Sequence, residues 1–382
     1  MMRWIALVVC AVLVLATPLT AATVDTVQHI GPGSVVGWLT HHGTPLVIGF
    51  AALSTGALTL VDWGKRLDPD GKVPFIIELL SQTNEILTDM RWIEGNLPTG
   101  HRTTVRTGLP AVAWRLLNQG VTPSKSTTAQ IDEQAGMLEA WSEVDVDLAK
   151  LNGNIQSFRL SEAMAFIEAM NQEMAQTLFY GNGGIAPEEF TGLSPRYSLS
   201  TAGNGANVLL GGGAGSDNSS VWLVVWGTQS VMGIFPKGSI AGLQHDDYGE
   251  VTVELTAGIA GSRMRAYQER WQWKAGIALK DWRYVVRIAN IDISNLVAKA
   301  SAADLTELMI RAIHRIPTMG VGKPVFYMNR TTFEMLDIQR RDDVMAGGGL
   351  TYQNVDGTVR PTFRGIPIAT SDALLETEAT VV

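Results

Sequence analysis

One cysteine, Cys10, stands in 382 residues. A single thiol makes no intrachain disulfide and no cysteine-based zinc site, so a disulfide-stapled secreted fold is excluded. Excess positive charge is missing as well. Against 37 Asp and Glu there are 29 Lys and Arg, a net charge of -8 with a pI near 5.3. That balance argues against a protein that neutralises phosphates over a broad surface.

Catalytic signatures are equally scarce. No Gly-x-Gly-x-x-Gly leads into a helix and no Gly-Lys-Ser/Thr occurs, which argues against nucleotide binding. The Gly- and Ser-dominated stretch 181–220 reads as surface loops and short strands. Serine hydrolysis would want a GxSxG elbow, and "GTQSVMG" has the wrong spacing. Glu188/Glu189 and Asp342/Asp343 are neighbours in sequence rather than the flanking pair that glycoside hydrolysis requires.

Six histidines are present: His29, His41, His42, His101, His245 and His314. Only His245, in "QHDDYG", sits beside candidate ligands, Asp246 and Asp247. Adjacent residues on an extended chain point to opposite faces, so a solvated turn is the expectation there. His314, between Arg311 and Arg315 near a helix end, is expected to interact with terminal carbonyls. No metal, cofactor or enzymatic activity is expected.

What is present is apolar mass. With 46% hydrophobic and 17% charged residues the chain can bury a substantial core, as one large domain or two ordinary ones. Residues 1–50 stand apart. Arg3 precedes an apolar run from Trp4 to Ala16, followed by Pro18, Ala21 and Ala22, the layout of a secretory signal, and the run is short for a membrane span. From Thr23 to Phe50 charge is almost absent and no convincing helical or strand period appears. Residues 1–50 are therefore expected to be an appended segment, an export leader or a start placed too early.

Well-patterned sequence begins at Ala51. "DPDGKVPFIIELLSQTNEIL" predicts a short helix with Pro74 in its first turn and Phe75, Ile76, Leu79, Leu80 and Ile86 on its apolar side. "SFRLSEAMAFIEAMNQEMAQTLFYGN" predicts the longest helix, with Leu160, Met164, Ile167, Met174 and Leu178 as a core-facing stripe and Gly181 as its stop. "SVWLVVWG", "GEVTVEL" and the alternating residues 263–293 predict a half-buried antiparallel sheet. Ser301 is the expected cap of a helix that runs to Pro317 and turns Leu305, Leu308, Met309, Ala312, Ile313 and Ile316 inward. "KPVFYMN" follows as a buried strand, Asn329 caps "RTTFEMLDIQRR", and "TFRGIPIATSDAL" supplies a closing strand. Helices and strands mix without a βαβ rhythm, which favours α+β.

Between the first two helices lies "NLPTGHRTTVRTGLPAVAWRLLNQGV", which carries Arg102, Arg106 and Arg115 without one acid. Residues 131–148 answer it with Asp132, Glu133, Glu139, Glu143, Asp145 and Asp147 and no base. Alternation at Val105/Thr107 and Val112/Trp114/Leu116, with the turn-rich "NQGVTPSKST", predicts a two-stranded ribbon with its tip at 120–126. An arm of about 17 residues spans on the order of 50 Å, whereas a compact body of this size has a radius of gyration near ~20 Å. The ribbon is expected to project, and an isolated hairpin is marginal in water. It needs a surface on another molecule, and arms of opposite charge suit copies of the chain lying on one another.

These parts resemble the tailed-phage major capsid proteins with the Hong Kong 97 fold. More narrowly, "ALTLVDWGKRLDPDGKVPFIIELLSQTNEIL", "NLPTGHRTTVRTGLPAVAWRLLNQG" and "FRGIPIATSDAL" look like their podophage-type branch, from about Ala51 to the C-terminus. The resemblance implies an N-terminal arm over 51–94 and an extended β-hairpin loop over 95–150. It further implies a peripheral domain of spine helix, Gly-rich segment and antiparallel sheet over 151–300, and an axial domain over 301–382. The loop would overlap a neighbouring subunit, with Arg102, Arg106, Arg115, Lys125, Asp132, Glu133 and Glu139 as inter-subunit contacts. Some relatives cross-link a loop lysine; Lys125 is the candidate position, and a solvated turn lysine is the expectation for it.

The function implied is a non-enzymatic head protein that self-assembles as pentamers and hexamers into an icosahedral shell around packaged double-stranded DNA. It would touch that DNA without sequence-specific contact and assemble in the host cytoplasm with scaffold, portal and decoration proteins, away from any membrane. Two alternatives stay open at this point: an exported, β-rich cell-envelope binding protein, and an encapsulin-like compartment shell.

Overall fold

The computed structural model describes residues 35–41, 44–50, 82–151, 155–201, 203–254, 263–299, 302–342, 350–355 and 358–382. The signal-like run and nearly all of the helix expected after Pro74 lie outside these residues. The chain divides into two units, residues 1–57 with 254–262 and the remainder. In the first, β1 (Val35–His41) and β2 (Thr44–Phe50) form an antiparallel hairpin with Val35 opposite Phe50. The sequence shows no strand period there because Gly37, Gly49 and Pro45 interrupt any alternation.

The second unit opens with the short α1 (Ile86–Asp89), then β3 (Trp92–Glu94), β4 (Gly100–Gly108) and β5 (Thr127–Asp145). Next come α2 (Val146–Lys150) and the 26-residue α3 (Ile155–Tyr180). Strands follow: β6 (Val208–Leu210), β7 (Asn218–Trp226), β8 (Val231–Phe235), β9 (Leu243–Glu254), β10 (Arg263–Leu279) and β11 (Val285–Asp292). The chain closes with α4 (Ile293–Ala298), α5 (Leu305–Arg315), β12 (Lys323–Met328), α6 (Arg330–Asp342), β13 (Thr351–Val355), β14 (Thr358–Phe363) and β15 (Ile366–Thr370).

Thirteen of these strands join in one sheet whose main path runs β13-β14-β15-β12-β7-β8-β10-β5-β4. β10 pairs antiparallel with β5 and β8, as the alternation of residues 263–277 implies. Parallel pairings occur elsewhere, β12 with β15 and β11 with β6 among them.

The core has two layers, one on each face of β7. Trp222, Val224 and Trp226 pack with Met174, Leu178, Phe179 and Tyr327 on the α3 side. Leu223 and Val225 pack with Leu308, Met309, Ala312 and Phe326 on the side of α5 and α6. A strand covered on both faces reads as a continuous apolar run, which is what "VWLVVW" is.

Helix α3 lies where the periodicity puts it, and Gly181 N–H closes its end on the Thr177 carbonyl at 2.9 Å. The face it buries needs correction. Met174 and Leu178 are in the core, whereas Leu160 is 63% and Met164 56% exposed, with Ile167 exposed beside them. The sheet is met instead by Phe158, Ala163 and Met170, and Phe166 stacks on Trp271 at 5.3 Å. Apolar residues ring the first half of this helix, so spacing alone names two candidate stripes and only the position of β10 chooses between them.

Capping also shifts at α5. Asp304, not Ser301, is the N-cap, its carboxylate accepting from Glu307 N–H at 2.9 Å. Asn329 caps α6 as its sequence implies, accepting from Thr332 N–H at 2.8 Å.

A projecting hairpin as the candidate functional site

β5 belongs to two partners in succession. Its first residues pair with β4, from Gly108 opposite Thr127 to Gly100 opposite Gln134. Its remainder, from Ala135 opposite Gly276 to Asp145 opposite Ala266, pairs with β10. The ribbon is therefore shorter than the sequence implies. Strand β4 stops at Gly108, and residues 109–126 make a loop without ladder pairing. Val112, Trp114 and Leu116, which alternate like a strand, lie in that loop because Pro110 and Pro123 remove ladder donors and Gly108 weakens pairing.

The acidic arm divides at the same point. Asp132 stays on the free ribbon, whereas Glu139 and Glu143 lie against β10 of their own chain. Gln272 donates to Glu139 at 2.7 Å and Gln268 to Glu143 at 2.9 Å.

The root of the ribbon is tightly held. Glu133 is buried and receives both Nη atoms of Arg196 at 2.6 Å, while Arg196 also donates to the carbonyls of Thr191 and Gly192. Asn96 brackets Arg102: its Nδ2 donates to the Arg102 carbonyl at 2.8 Å and its Oδ1 accepts from Arg102 N–H at 2.7 Å. A side chain on Gly100 would place its Cβ 1.9 Å from the Glu133 carbonyl oxygen, so the strands approach closely only without one.

Above the root, Arg102 grips Asp132 across the ribbon, with Nε to Oδ1 and Nη2 to Oδ2 both at 2.6 Å. The bonded guanidinium holds the Asp132 carboxyl below its usual range, and the carboxylate raises Arg102 in turn. This fork joins register partners and so specifies which residues face each other. Burial lowers His101, assisted by the Lys280 charge and opposed by Glu133.

Every residue from 109 through 132 is exposed. Within that stretch Leu109, Val112, Trp114, Leu116, Leu117 and Val121 are large and apolar, and Trp114 is fully exposed. Ser124 Oγ donates to the Ala111 carbonyl at 2.7 Å, and Asn118 adopts a left-handed φ of 63° in the turn closed by Gln119 N–H on the Leu116 carbonyl. The loop thus has internal order while its apolar side chains face solvent. Contiguous exposed apolar surface of this kind marks a site for another protein.

Of the seven expected contact residues, Arg106, Arg115 and Lys125 form no ion pair among the described residues. Arg102 and Asp132 pair with each other, Glu133 pairs with Arg196, and Glu139 accepts from Gln272 and from Trp141 Nε1. Sequence reasoning missed Arg196 and Asn96. Arg196 lies in a Gly- and Ser-rich stretch with no period to mark it.

The stretch "QHDDYG" belongs to β9 rather than to a turn. His245 stacks on Trp271 and meets Glu269 at 2.9 Å, whereas Asp246 takes Arg270 at 2.7 Å. Alternate residues thus face alternate sides. Among the described residues no three His, Cys, Asp or Glu side chains are grouped to hold a metal ion, and no helix is long and apolar enough to cross a membrane.

The family described as major capsid protein GP7 matches residues 68–382. The structure of bacteriophage Epsilon15 is similar at 32% identity and a TM-score of 0.69, over 87% of this chain and 99% of that one. The capsid of a native GTA particle matches 59% of this chain and 96% of its own at 10% identity and a TM-score of 0.40. An encapsulin of Synechococcus elongatus matches 61% and 95% at 10% identity and a TM-score of 0.34. Scores that low do not bear on the assignment. None of the curated proteins matches the chain. The chain belongs to the major capsid protein GP7 family, and its fold is the Hong Kong 97 fold of tailed-phage capsids.

Proposed function

We propose that the hairpin of residues 100–134, with its apolar tip, is the contact through which copies of this major capsid protein join into an icosahedral shell. One observation carries the reading: 24 consecutive residues, 109 through 132, are exposed on a ribbon whose root is rigidly held. A segment so ordered at its base and so apolar at its end gains its stability by covering a neighbour. β4 is also the sheet's terminal strand, and an open strand edge is a template for another chain. Arg106, Arg115 and Lys125 are the charges free to meet that neighbour. Arg102, Asp132, Glu133 and Glu139 shape the ribbon that presents them. Contacts repeated under closed symmetry multiply a modest energy over the whole shell.

Replacing residues 110–125 by Asn-Gly tests this. The shortened chain should fold with an unchanged melting temperature yet give no shells or capsomers by negative-stain microscopy and light scattering. Shells from the shortened chain would overturn the reading.

The same reading assigns roles to the remaining parts. Residues 51–94 act as an arm, 151–300 as the peripheral domain and 301–382 as the axial domain. Assembly takes place in the host cytoplasm, where scaffold, portal and decoration proteins are the partners of such a shell. The net charge of -8 suits a container that holds double-stranded DNA without gripping it, and the protein acts mechanically rather than as a catalyst. Membership in a capsid family leaves the cell-envelope alternative without a feature in its favour beyond residues 1–50.

A further inference from the structure

A narrow cleft lies between α3, strand β5 and the loop after α3. It encloses about 170 Å³ over an apolar floor of Leu138, Met174 and Phe190, and Glu173, Glu188 and Glu189 stand around it. That volume is below the range typical of small-molecule sites and is of the size that accepts anchoring side chains. None of the three carboxylates has an ion-pair partner among the described residues. Three acidic residues and no basic one line this opening, so its lining favours a cation.

The chain carries the complementary piece. Among the described residues Arg115 has no ion-pair partner, and it sits between Trp114 and Leu116, both exposed. A large aromatic flanking an arginine is the composition that dominates interface energetics. The tip does not reach its own cleft. β5 runs unbroken from Thr127 to Asp145, so the ten residues between Thr127 and Met137 set the tip's base about 33 Å from the cleft. The tip is exposed throughout, and Arg115 forms no ion pair with these glutamates of its own chain.

Charge also selects among the openings. A second cleft borders β5 at the same Gly136 and Met137, but it is rimmed by Lys237 and Lys274. A cationic tip is repelled there and attracted to the glutamate side.

We infer that Arg115 of one copy seats in the Glu173, Glu188 and Glu189 cleft of the next, flanked by Trp114 and Leu116. The inference rests on the reading of the hairpin as the inter-subunit contact and names where that contact lands.

A charge swap within the full-length chain tests it. R115E alone and the triple variant E173R/E188R/E189R alone should each raise the protein concentration needed for shell assembly by roughly tenfold or more. Combining all four substitutions in one chain should restore assembly, because every reversed tip then meets a reversed cleft. Circular dichroism melting of each variant identifies any that fails to fold. A second pair, L116C with M137C, should give disulfide-linked ladders between subunits in assembled particles. Normal assembly of the triple cleft variant beside defective R115E would overturn the cleft while leaving the hairpin contact standing. Separate defects without rescue in the four-fold variant, or particles without ladders, would also overturn it. Normal assembly of both R115E and the tip-shortened chain would sink the hairpin reading itself.

Discussion

Glu378 reaches into the core from the last five residues of the chain. Its carboxylate takes Arg287 Nη2 at 2.7 Å and the Tyr180 hydroxyl at 2.5 Å, and it accepts from Ser220 Oγ. Both ends of the ion pair are almost fully buried, so neither charge has water to fall back on. Burial, and then the Glu378 charge, push the Tyr180 phenol far above its ordinary value, so it stays a donor. Glu378→Ala strands the Arg287 guanidinium and should cost about 3–5 kcal/mol, read from denaturant unfolding of the isolated subunit. A loss below about 0.5 kcal/mol, the range of an ordinary surface substitution, would show the pair to be idle. Little of this is legible in the sequence. Glu378 and Arg287 are 91 positions apart, and no local pattern links them. The cap at Asn329 is legible because its partner is three residues away, whereas at α5 the sequence points to Ser301 and the structure uses Asp304.

At the scale of elements, α3 shows how far periodicity goes. Its length, its direction and its glycine stop follow from the chain, since helical hydrogen bonds are local. Its buried face does not, because Leu160, Met164 and Ile167 repeat at helical spacing as well as Ala163, Met170 and Met174 do. Leu178→Ala should destabilise the subunit by about 2–5 kcal/mol through the cavity left beside Phe179 and Trp222. Leu160→Ser and Met164→Ser should stay within about 0.5 kcal/mol, as exposed positions do. Thermal or urea unfolding of the three variants shows that the predicted stripe is covered at Leu178 and open at Leu160 and Met164, and equal losses would return Leu160 and Met164 to the core. The hairpin shows the same limit. Its existence and its charge split are readable in the sequence, but its length is set by where β5 changes partner from β4 to β10, a pairing over more than 120 residues.

For the whole molecule the decisive property is what the body leaves uncovered. The sheet buries β7 on both faces and anchors the chain's end, while the ribbon and its tip face solvent. An assembly built on apolar anchors with charge steering should respond to salt in its rate more than in its final yield. The screening length falls from about 10 Å at 0.1 M to about 3 Å at 1 M salt. Assembly followed by light scattering should therefore slow as salt rises, with shells still formed at the end. Complete loss of shells in high salt would mean that charge supplies the affinity, and unchanged kinetics would mean that it does not steer.

Composition and pattern by themselves determined the α+β class, the long helix, the buried strand "VWLVVW", the absence of catalytic signatures and the presence of a charged projecting hairpin. All of these depend on residues close together in sequence, whose backbone geometry and side-chain spacing act locally. Tertiary structure alone decided which stripe of α3 is covered, where the ribbon ends, that Glu133 belongs to Arg196, and that an acidic cleft stands ready beside β5. Those depend on which distant segments meet, and burial, pairing and desolvation exist only once they do.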